Sequence, residues 1–94
     1  MKPELAKSLE EIVRKQFADV QIDSVRVVED EDSEGGKILR VTIVFEAKDG
    51  LDPAKAKGLV RHMRSSLIKN DAFTFPLVAF RSRADQKRLE AAAA

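Results

Sequence analysis

The chain has 94 residues, a net charge of +1 and no cysteine, with 44% of its residues hydrophobic and 35% charged. That length makes one domain with enough interior for a core, and the composition makes a well-solvated chain that is too apolar to be intrinsically disordered. The lack of cysteine excludes disulfides, zinc–thiolate and iron–sulfur sites and thiol nucleophiles together; no apolar run approaches the ~18 residues of a membrane span, and no hydrophobic signal segment follows Met1-Lys2-Pro3-Glu4, so a cytoplasmic location is expected.

Pro3 and Glu4 suit the first turn of a helix, the proline because it needs no donor there and the acid because it faces the positive end of the dipole. Leu5, Leu9, Ile12, Val13 and Phe17 then recur at helical spacing, opposite Lys7, Glu10, Glu11, Arg14 and Lys15. After Asp19 the period changes. Residues 22–28 read as a strand with Val25 and Val27 on one face, and an acidic turn over 29–36 ends in Gly35-Gly36. Residues 38–47 alternate most cleanly: Leu39, Val41, Ile43 and Phe45 against Arg40, Thr42, Val44 and Glu46. A hairpin is expected.

Asp52-Pro53 supplies an N-cap and a proline at the first helical position. The helix that follows should run to about Lys69 and bury Ala56, Leu59, Val60, Met63 and Leu67. Gly58 in its middle costs ~1 kcal/mol relative to alanine, so either something approaches closely there or the helix bends. Residues 73–80 form a third strand, placed at a sheet edge because Pro76 removes a ladder donor. Ser82 and Asp85 make a capping box for a short tail helix ending in four alanines. The expected architecture is α+β, in the order α-β-β-α-β-(α): a two-layer domain over 1–82, with a three-stranded sheet and two helices on one of its faces, and a C-terminal helical tail over 83–94.

The third strand is apolar on both faces. Alternation sets Phe73, Phe75, Leu77 and Ala79 on one side, taken as the core side, and Pro76, Val78 and Phe80 on the other. Two helices cover only one face of such a sheet, so Pro76, Val78 and Phe80 are expected to form an interface. The tail helix, a second copy of the chain or a different partner are the candidates to cover it.

Three further patterns bear on chemistry. Asp30, Asp32, Glu34 and Gly35 match the first, third, fifth and sixth positions of an EF-hand loop, but Val41 stands where the bidentate glutamate belongs and Lys37 at the eighth position, so a solvated hairpin tip is expected and no metal site. His62, the one histidine, points away from the apolar stripe. Ser65 and Ser66 follow within a turn, but no acid on that helix can orient a base, so no catalytic group is assigned and no enzymatic activity is expected. Between Lys55 and Lys69 there are five basic residues and no acid; Lys57, Arg61 and Arg64 fall within ~60° on the helical wheel, and Arg81 and Arg83 add a second group. The five acids of the hairpin tip carry −5, so the remainder of this chain of net +1 sums to +6. A basic helix face of this kind can hold phosphates or pair with an acidic surface.

The element order, with Ala56-Lys57-Gly58-Leu59-Val60-Arg61 in the second helix and Pro76-Leu77 in a later strand, resembles the type II KH fold, in particular the ribosome-binding factor A family, where an Ala-x-Gly motif replaces the usual Gly-x-x-Gly loop. The resemblance implies RNA contact through the helix around Gly58, with Lys57, Arg61 and Arg64 on the phosphate backbone. Two functional expectations follow. The first is a noncatalytic interaction module, either a homodimer or an accessory protein binding a protein partner. The alternative is a small RNA-associated protein contacting phosphates through Lys57, Arg61, Arg64, Arg81 and Arg83. Neither calls for a cofactor, a membrane or a small-molecule substrate.

Overall fold

The computed structural model describes residues 3–70, 72 and 74–93. Helix α1 spans Pro3–Gln16 and turns, through a Phe17 N–H to Val13 carbonyl bond, into strand β1, Gln21–Glu31. Strand β2 covers Lys37–Glu46, α2 Pro53–Lys69, β3 Phe75–Ser82 and α3 Arg83–Ala93. The expected α+β order and three-stranded sheet are both present. Phe73, expected to open β3 on the core side, lies outside the described residues, as do Met1, Lys2, Asp71 and Ala94.

The hairpin is longer than alternation suggested. β1 continues through Glu29, Asp30 and Glu31, which stand opposite Leu39, Ile38 and Lys37. Two interactions hold this acidic stretch in the ladder: the Arg40 guanidinium donates to Asp30 at 2.6 Å, and Asp32 closes the turn by accepting from the Glu34 and Gly36 N–H groups at 2.9 and 2.7 Å. Gly35 sits at φ +83°, and a Cβ on Gly36 would lie 2.5 Å from the Asp32 carboxylate, so both glycines are required by the turn. The expected EF-hand-like positions are therefore a self-satisfied hairpin turn, with Asp32 committed to the backbone.

The sheet order is β1-β2-β3, with β1–β2 antiparallel and β2–β3 parallel. A parallel neighbour needs a crossover connection, which α2 supplies. Its start is capped as expected, with the Asp52 carboxylate accepting from the Ala54 N–H at 2.9 Å. β3 lies at the edge that Pro76 predicted. On one face of the sheet Ile22, Leu39, Val41 and Ile43 meet Leu9, Val13 and Phe17 of the α1 segment and Leu59, Met63 and Leu67 of α2 in a single core.

Register with β2 then decides which face of β3 is inside. Leu39, Val41 and Ile43 stand beside Pro76, Val78 and Phe80, and cross-strand neighbours share a face. Pro76 is fully buried, Val78 and Phe80 pack against the core, and the Phe80 ring meets Phe17 edge-on at 5.8 Å. The interface expected from Pro76, Val78 and Phe80 is thus interior, and Phe75, Leu77 and Ala79, the face expected in the core, occupy the outer face beside Ile38, Arg40 and Thr42. Both faces of β3 are apolar, so its own alternation carried no sign.

The close approach to Gly58 is also explained. α2 runs unbroken through it, and the Gln16 side-chain amide crosses from α1 to donate to the Lys55 carbonyl at 2.9 Å. A Cβ on Gly58 would stand 2.9 Å from that nitrogen.

Candidate interaction surface

The outer face of the sheet is covered unequally. At one end α3 begins with Ser82 Oγ accepting from the Asp85 N–H at 3.2 Å, the cap that the Ser82–Asp85 spacing predicted. Arg83, in its first turn, donates through Nε and an Nη to both oxygens of Asp23 at 2.7 and 2.9 Å, and through its other Nη meets Glu46 at 2.5 Å. Asp23 is the residue left over where the β1–β2 register shifts between Ile22 and Ser24, so the bulge aims a carboxylate at the tail helix. The Arg83 guanidinium holds the Asp23 carboxyl below its usual value. Arg81 donates to Gln86 of α3 at 3.5 Å, and Val44, on the same face between Ser24 and Arg81, is buried.

The opposite end of this face is open. Val28 of β1 and Phe75 and Leu77 of β3 are 41%, 47% and 42% exposed around the buried Ile38. The Arg40–Asp30 pair crosses between Val28 and this group, and its hydrogen bond lowers the Asp30 pKa.

The five basic residues expected to act together are divided. Arg83 is consumed by Asp23 and Glu46. Arg81 lies on the outer face against α3. Lys57, Arg61 and Arg64 do form one exposed ridge, and among the described residues none of the three makes an ion pair. α2 turns its Gly58 side toward α1, leaving this ridge on the other flank, toward β3, where the Arg64 guanidinium stands 5.7 Å from the centre of the Phe75 ring. That cation–aromatic contact was invisible in the sequence because it depends on where α2 docks relative to the start of β3.

On the α1 side of α2, His62, Ser65, Ser66 and Lys69 line a groove of about 460 Å³ with Ile12, Lys15 and Gln16. A base and two hydroxyls line it, but among the described residues no carboxylate lines the groove to orient the imidazole. Among the described residues no three histidine, aspartate or glutamate side chains converge where a cation could be held, and no helix is long and apolar enough to cross a membrane. Comparison with protein-family models, curated proteins and solved structures finds no match to this chain.

Proposed function

We propose that the chain is a noncatalytic protein-interaction module that docks a protein partner on the open end of its outer sheet face. The observation that carries this is the Val28–Phe75–Leu77 surface, three large apolar side chains exposed by 41–47% on one side of one sheet end. Exposed apolar side chains gathered at one end of a sheet face, here on either side of the Arg40–Asp30 pair, mark a place where something binds. α3 leaves that end bare while holding the other. A photoreactive residue at position 77, introduced in the source cells, should yield a discrete protein adduct that the same residue at position 7 on exposed α1 does not. The purified pair should then lose affinity on Leu77→Asp. An adduct pattern identical at both positions, with no pair that reassembles from pure components, would remove the reading.

A second reading rests on a different observation. The ion-pair-free ridge Lys57–Arg61–Arg64, with Arg64 over the exposed Phe75 ring, combines phosphate-binding groups with a stacking surface, as single-strand RNA recognition requires. The type II KH resemblance points the same way. This reading predicts binding to single-stranded RNA that weakens steeply with salt and with Arg64→Ala; salt-independent or undetectable binding eliminates it.

A further inference from the structure

The β3 edge of the sheet is lightly defended. Proteins normally blunt an exposed edge with charges, prolines, bulges or cover, and over 75–80 β3 carries only Pro76. β1, the other edge, is blunted: it carries the bulge at Asp23 and the acidic run from Glu29 to Glu31. β3 runs Phe75-Pro76-Leu77-Val78-Ala79-Phe80, six residues without a charge, and only Pro76 interrupts its donors. Among the described residues no fourth strand pairs with it, and its backbone makes no hydrogen bond outside the ladder to β2. Among the described residues the α2 charges that flank this edge, Lys57, Arg61 and Arg64, are all basic and make no ion pair.

The ridge also runs along part of the edge. From Lys57 to Arg64 an α-helix rises ~10 Å, which is about three residues of strand. Arg64 marks the Phe75 end through its contact with that ring, so Arg61 and Lys57 continue the ridge alongside β3. A strand added to β3 would present every second side chain toward α2, spaced ~6.7 Å apart. Acidic residues at two successive such positions would stand along the ridge.

We infer that β3 is the seat for strand addition by an acidic, extended segment of a protein partner, with its backbone paired to β3 and its carboxylates on Lys57, Arg61 and Arg64. This rests on the partner-docking reading above and names how the partner binds. A second copy is the poorer occupant. Pairing β3 with β3 across a two-fold axis brings both ridges together, and pairing β1 with β1 uses the bulged edge of both copies; the mixed pairing β3–β1 does not close on itself and meets the bulged edge.

The test uses a fluorescein-labelled decapeptide of alternating glutamate and valine, and its lysine counterpart, with the full chain. The glutamate peptide should bind and slow hydrogen exchange at those amides in 75–82 that point away from β2. Arg61→Glu/Arg64→Glu, both on exposed positions, should weaken it about tenfold, the expected reach of a few exposed ion pairs, and should reverse the preference toward the lysine peptide. No slowing at millimolar peptide, or equal binding of both peptides, overturns the inference. Contacts confined to Val28, Ile38 and Leu77 side chains, without protection in 75–82, overturn strand addition and leave the docking reading standing. Failure of the docking reading shows separately, as Leu77→Asp leaving an authentic partner's affinity unchanged. Protection of 75–82 that rises with protein concentration and mass alone would make the occupant a second copy. Binding of single-stranded RNA that competes with the peptide and is lost in the double variant would make it nucleic acid; either result replaces the acidic segment.

Discussion

Phe80 is the residue whose environment most directly tests which way β3 faces. Its ring packs edge-on against Phe17 at 5.8 Å, and Phe17 is itself 1% exposed. Truncating a core phenylalanine to alanine costs about 3–5 kcal/mol; Phe80 is only partly buried, so the lower end, about 3 kcal/mol, applies, including about 1 kcal/mol for the aromatic pair. For a domain of this size that corresponds to a fall of roughly 12–24 °C in melting temperature. Leu77, on the opposite face of the same strand and 42% exposed, should cost no more than about 1 kcal/mol as alanine, because much of its area stays in water in the fold. With no tryptophan or tyrosine in the chain, far-UV circular dichroism with heat and urea is the appropriate readout. A Phe17→Leu/Phe80→Leu cycle should return a coupling of about 1 kcal/mol. If Leu77→Ala proves more damaging than Phe80→Ala, β3 is turned over and the argument for the outer-face surface collapses with it.

The Arg83 staple makes stability depend on acidity. Hydrogen bonds from Arg83 and Arg40 hold the Asp23 and Asp30 carboxyls below their usual 3.8; a lowered folded value stabilises the fold above about pH 4, and that contribution is lost as the pH falls through the folded value. Asp23→Asn should therefore lower the urea midpoint at pH 7 and flatten its decline between pH 5 and 2; an unchanged acid limb would show that Asp23 does not contribute. Gly58→Ala trades a helix-propensity gain of ~1 kcal/mol against the Gln16–Lys55 bond, so urea unfolding should change little in the wild-type background. In a Gln16→Ala background the same substitution should stabilise by about 1 kcal/mol, and its failure to do so would mean that Gln16 is not the obstacle. Asp52→Ala should cost about 1 kcal/mol through loss of the cap on the Ala54 N–H, while Asp52→Asn should retain most of it.

Legibility tracked how local the governing physics is. The α2 cap at Asp52, the β3 edge assignment from Pro76 and the Ser82–Asp85 cap are each dictated by one or two residues and the backbone groups beside them, and each is found in place; Gly58 left a close approach or a bend open, and only the packing of α1 on α2 decides for the approach of Gln16. The hairpin tip was drawn too long because Glu29, Asp30 and Glu31 look like loop residues until Arg40 is across from Asp30. Lys57, Arg61 and Arg64 share one exposed helix face by spacing alone. Arg83 could not be separated from them, since its partners Asp23 and Glu46 lie 60 and 37 positions away in the chain.

By itself, then, the chain's order of residues determined the elements, their order and the apolar stripes of α1, α2 and β2, because helix and strand periods and caps act over a few residues. The tertiary structure alone decided which side of β3 is interior, where the tail helix docks and therefore which surface is left uncovered. Residues 75–80 are apolar at every position, so no local pattern distinguishes their two faces; only the parallel register that sets Pro76, Val78 and Phe80 beside Leu39, Val41 and Ile43 does.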